Sequence, residues 1–133
     1  QFLGGISANG GPYQQQAEVS LADTVEVRGQ IEVQPAHVGE VVDIFVYAAA
    51  TFPEVDGLFY YMLGEPLAIL AWNQDPDQLV AFISDVILDE TQDVLMYSGH
   101  FLLPGTLEVY FGYLRADGSV VSSTQSIDVV INE

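Results

Sequence analysis

The sequence predicts an all-β fold, an immunoglobulin-like β-sandwich of about seven to nine antiparallel strands behind an extended N-terminal segment. Three observations predict it. Apolar residues recur with a period of two along most of the chain, the spacing that puts alternate side chains on one face of a strand. Turn-forming residues return about every 8–12 residues, as in sandwiches. No stretch sustains the i, i+3, i+4, i+7 spacing of an amphipathic helix, and one helical turn near Ile87 to Gln92 is the most the pattern allows.

Taken in order, residues 1–23 form the extended segment and residues 24–133 the sandwich. Gln1 to Gln16 carries Gly4, Gly5, Gly10, Gly11 and Pro12 with a glutamine triplet, and is expected to form no regular element. Ala17, Val19 and Leu21 then alternate with Glu18, Ser20 and Ala22, and join the phase of Val25, Val27, Ile31 and Val33. Residues 17–33 therefore predict one very long strand or two successive ones. Pro35 and Gly39 mark a turn, Val41 to Ala50 a strand, and Thr51 to Gly57 a loop. Leu58 to Leu63 is an aromatic strand broken at Gly64-Glu65-Pro66, and Leu67 to Trp72 continues it before a turn at Asn73 to Asp77. Leu79 to Ser84 and Val94 to Tyr97 are further strands across an acidic connection, Asp85 to Asp93. Thr106 to Arg115 is a further strand. Ala116-Asp117-Gly118-Ser119 is a hairpin turn, because Asp-Gly supplies positive φ, and the last strand runs from Val120 to Ile131.

Composition narrows the function. Half of the residues are apolar and only 16% are charged, with 19 Asp and Glu against two basic residues, Arg28 and Arg115. A net charge of −17 excludes nucleic acid, whose phosphates need Lys and Arg to displace counterions, and an anionic membrane surface. No apolar run approaches the ~20 residues of a membrane-spanning helix, so no direct membrane insertion is expected. The absence of cysteine removes disulfides, thiolate metal sites and cysteine nucleophiles together. A chain starting at Gln1 reads as a mature secreted product after signal-peptide removal, extracellular or at the cell surface.

Pro35-Ala36-His37-Val38-Gly39 leads into Val42-Asp43-Ile44-Phe45-Val46. Leu79-Val80-Ala81-Phe82, Tyr97-Ser98-Gly99-His100 and Leu103-Pro104-Gly105 follow, then Phe111-Gly112-Tyr113 and Asp117-Gly118. On these residues the chain, from about Pro35 to Ser123, resembles an uncharacterised immunoglobulin-like module of large secreted proteins of filamentous sulfur-oxidising and related bacteria. The resemblance implies an extracellular structural or adhesive module and supplies no catalytic residue.

The residues themselves point away from catalysis. His37 and His100 are the available neutral-pH bases; both read as ordinary turn and surface residues, with no nucleophile or phosphate-binding motif beside them. Asn73, Asp75 and Asp77 offer oxygen ligands at alternate positions, like the opening of a calcium loop. Gln78 then stands where that loop turns on glycine, and Ser84 where it needs Glu. Calcium is the one cofactor the sequence suggests, and Asp89, Glu90 and Asp93 form a second acidic cluster.

Several strands are apolar on both faces. Phe45 and Tyr47 run out of phase with Val42, Ile44 and Val46; Phe59 and Tyr61 oppose Leu58, Tyr60 and Met62. Such strands are either covered by loops or buried by a second subunit. Two functions fit. One is a subunit of an extracellular filament, a homopolymer joined by strand donation through Ala17, Val19 and Leu21. The other is a cation-dependent adhesion or carbohydrate-binding module, stacking a surface glycan on Trp72, Tyr60 or Tyr61 or docking another surface protein.

Overall fold

A computed structural model of the chain describes residues 2–64, 68–75, 78–123 and 125–133. These form an all-β fold of eleven strands in two packed sheets of three and eight strands. The strands are β1 (Phe2–Ala8), β2 (Gln16–Ser20), β3 (Val25–Glu32), β4 (Val41–Phe52), β5 (Val55–Gly64) and β6 (Ala68–Ala71). There follow β7 (Ile83–Ile87), β8 (Thr91–Gly99), β9 (Gly105–Leu114), β10 (Val120–Ser122) and β11 (Ile127–Asn132). The small sheet has the order β1-β3-β8. The large one runs β2-β11-β9-β4-β5-β6, with β10 beside β9 and β7 beside β4.

Period two explains the core. Val25, Val27 and Ile31 of β3 face Val42, Ile44 and Val46 of β4, Val109, Phe111 and Tyr113 of β9, and Ile127, Val129 and Ile131 of β11. The polar phase of β3, Glu26, Arg28 and Gln30, is turned away from that core.

Of the two alternatives for residues 17–33, two successive strands form, in different sheets and separated by a turn at Leu21 to Thr24. The structure differs from the sequence-based expectations at particular places. The sandwich is not wholly antiparallel, since β2 runs parallel to β11. The loop expected over Thr51 to Gly57 is a tight hairpin, with β4 and β5 continuing to Phe52 and from Val55. The strand expected over Leu79 to Ser84 begins only at Ile83, and the acidic connection is itself largely strand: β7 runs to Ile87 and β8 starts at Thr91, because Leu88 between them plugs the core and lets the acidic side chains stay in water. Asp85 holds φ +56 there, its N–H given to Asp43 Oδ1 at 3.1 Å. Finally, Val120 to Ile131 divides into β10 and β11. Buried Ser123 marks the break, donating its N–H to Phe111 O at 2.9 Å and accepting Phe111 N–H on Oγ at 3.2 Å.

Candidate assembly surface

The N-terminal segment is built into both sheets. β1 lies against β3 with Gly4 opposite Gly29 and Ile6 opposite Val27. The glycines are there for close approach. A Cβ on Gly4 would stand 2.7 Å from Ile127 Cδ1, and one on Gly29 would stand 2.6 Å from the Phe111 ring. Phe2 meets the edge of that ring, centroids 5.6 Å apart, and Ile6 is 1% exposed. This overturns the expectation that residues 1–16 form no regular element. The signal was present in the inward phase Phe2, Ile6 and Ala8, hidden by Gly4 in the middle.

Asn9, at φ +52, and Gly10, at φ +77, turn the chain out of β1. Gln14 then returns to bridge Ile6, N–H to carbonyl in both directions at 2.9 and 3.0 Å. Tyr13 reaches back to donate its hydroxyl to Glu26, which also takes Arg28 Nε–H. The Tyr13 hydroxyl and the Arg28 guanidinium hold the Glu26 carboxyl below its ordinary range, and the carboxylate in turn raises Tyr13.

The three residues predicted as the assembly strand come together on this path. Ala17 lies opposite Val129 and Val19 opposite Ile131 in the parallel ladder with β11. Leu21, one residue past the strand, gives its N–H to Asn132 O at 2.9 Å. Val19 is 3% exposed, while Ala17 and Leu21 are half-buried against the core. The turn into β3 is fixed by Asp23, which accepts Ser20 N–H at 2.9 Å and Asn9 Nδ2–H at 2.9 Å. The Ser20 amide and then Asn9 lower its pKa. Apart from the Gln14 bridge on β1, β1 and β2 each have one ladder partner, so both are terminal strands of their sheets.

The other predicted sites fare differently. Asn73 Oδ1 accepts Asp75 N–H at 3.0 Å, and Asp75 O accepts Trp72 Nε1–H at 3.0 Å. Asp77 lies outside the described residues. Among the described residues no three His, Asp or Glu side chains gather as a metal would require. The stacking platform is divided by the pleat. Trp72 and Tyr60 pack on the outer face of the large sheet with Tyr47, Trp72 to Tyr47 at 4.7 Å, and Tyr47 stacks on Tyr110 at 5.0 Å. Tyr61, opposite Ala48 in the ladder, belongs to the inner face. His37 is not the surface residue expected. It is 8% exposed, its Nδ1 lies 2.7 Å from the Tyr113 hydroxyl, and burial raises the Tyr113 pKa. His100 is exposed and its carbonyl accepts the Tyr97 hydroxyl.

No known protein family matches the chain, and no curated protein matches it.

Proposed function

We propose that this chain is a structural subunit of an extracellular filament, in which residues 2–20 of one copy fill, in the next copy, the seat they occupy here in their own. The observation that carries the reading is the pair of terminal strands, β1 and β2, one on the edge of each sheet and both on the N-terminal side of one short turn. Without them β3 to β11 still supply both sheets. With them supplied by a neighbour, the same ladders, the same Gly4–Gly29 approach and the same burial of Ile6 and Val19 are remade, so exchange costs little contact energy. Each of those two side chains contributes about 1.5–3 kcal/mol on burial, and each ladder hydrogen bond a further ~0.5–1.5 kcal/mol. A head-to-tail exchange propagates into a filament when its rotation does not close into a ring. The first charged residue is Glu18, so a donated segment brings no charge to its acceptor before that point. The extracellular setting rests on the resemblance described above.

Negative-stain microscopy of the full chain and of a chain lacking residues 1–22 tests this. Filaments are expected from the first alone. A synthetic peptide of residues 1–22 is expected to bind the truncated chain and raise its melting temperature. Filaments from the truncated chain would overturn strand donation.

A further inference from the structure

The small sheet ends at β8, and the inner faces of β5 and β6 extend beyond it uncovered. Between them lies a cleft of about 390 Å³ that reaches into the core. Its floor is Ala48 and Ala50 of β4, Tyr61 and Leu63 of β5, and Ile69 of β6; Met96 and Tyr97 of β8 form one wall. The β8–β9 connection, Phe101 to Pro104, also lines it, with Phe101 stacked on Tyr97 at 5.4 Å. At the mouth Leu102 is 86% and Ile69 67% exposed.

The geometry points to a binding site for an uncharged apolar small molecule, of the class of aromatic hydrocarbons and medium-length alkyl chains. Four observations select that class. Among the described residues no Asp, Glu, Arg or His lines the cleft, in a chain with a net charge of −17; an anion would be repelled, and the described lining offers a cation no counter-charge. Three hydroxyls of the lining are already engaged: those of Thr51 and Thr106 bond each other, and that of Tyr97 is given to the His100 carbonyl. A polar ligand therefore finds few partners to replace its water. The space lies within the ~300–1,000 Å³ of small-molecule pockets and exceeds the ~150 Å³ that stays dry and takes up benzene. Met96 adds an adaptable, polarizable wall.

Titration of the full-length chain with the neutral dye N-phenyl-1-naphthylamine tests the site, with size-exclusion chromatography at each concentration. Saturable binding at one dye per chain is expected, with displacement by 1-decanol. Ala48→Trp, which fills the floor, is expected to weaken binding at least tenfold. Ile69→Asp and Leu102→Asp, at exposed positions of the mouth, are expected to do the same with the circular-dichroism spectrum unchanged, so the test survives if Ala48→Trp fails to fold. Non-saturable binding, or unchanged affinity in both mouth variants, would overturn the proposal. So would dye uptake that occurs only as copies associate, which would make the cleft a seat for a second chain.

Discussion

A methyl group added at Gly29 would lie 2.6 Å from the Phe111 ring and 2.9 Å from Met96 Cε. Phe111 is itself wedged in the core at 1% exposure, so the ring has little room to yield. Gly29→Ala is expected to cost about 1–3 kcal/mol, the usual range for overpacking, measured by urea denaturation. Tyr113→Phe tests a second buried contact. It leaves His37 Nδ1 without its partner at 2.7 Å, and stability should fall by about 1–3 kcal/mol. A neutral result would mean that the imidazole finds water instead. The sequence allowed neither expectation. His37 sits in a turn by its chemistry, and only the packing of that turn onto β9 shows the ring to be buried.

At the scale of elements, the pleat makes sharp distinctions between neighbours. Val19 of β2 faces the core, whereas Val130 of β11, in the same ladder, is 44% exposed. Val19→Ala should cost about 1.5–3 kcal/mol and Val130→Ala less than ~0.5 kcal/mol, measured by thermal or urea melts. Equal losses would mean that β2 is out of register. Alternation was the legible part of the fold: β3, β4 and β9 stand where period two placed them, and β3 and β4 turn inward the residues it named. What alternation cannot carry is the partner. Nothing in Ala17-Glu18-Val19 specifies a parallel neighbour, and nothing in Leu79 to Asp93 showed that Phe82 and Leu88, not the intervening strand, anchor that segment. Of the candidate sites, Ala17, Val19 and Leu21 do lie together along one edge. Of the three calcium-loop positions, Asn73 and Asp75 are described and Asp77 lies outside the described residues.

Across the whole molecule, a net charge of −17 makes the compact state repel itself. Both arginines are engaged, Arg28 with Glu26, and Arg115 through a two-pronged contact to Glu40 at 2.9 and 3.0 Å and to Asp117 at 3.6 Å. The remaining acids repel one another across the fold. Raising salt at neutral pH from ~10 to ~150 mM shortens the screening length from about 30 to 8 Å, and the melting temperature should rise. Millimolar calcium at matched ionic strength should raise it further if a specific site forms; no extra shift would leave screening alone. Acid acts in the opposite direction through particular pairs. The Arg115 guanidinium holds the Glu40 carboxyl below its ordinary value of 4.5, so this contact stabilises the fold above that value and is lost as pH falls through the depressed one. Below about pH 4.5 protonation relieves the general repulsion while removing this contact, so the acid limb of the native chain should gain less melting temperature than that of Glu40→Gln. An unchanged acid limb in the variant would assign it to other carboxylates.

Whether the N-terminal strands sit in their own sandwich or in a neighbour's can be read directly, because the chain contains no cysteine. Glu18 and Val130 face each other across the β2–β11 ladder and are both exposed. In the double variant Glu18→Cys, Val130→Cys, oxidised after assembly and run on a denaturing gel without reductant, strand donation predicts a ladder of covalent multimers that collapses to monomer on reduction. Intrachain disulfide alone, from preparations that contain filaments, would contradict it.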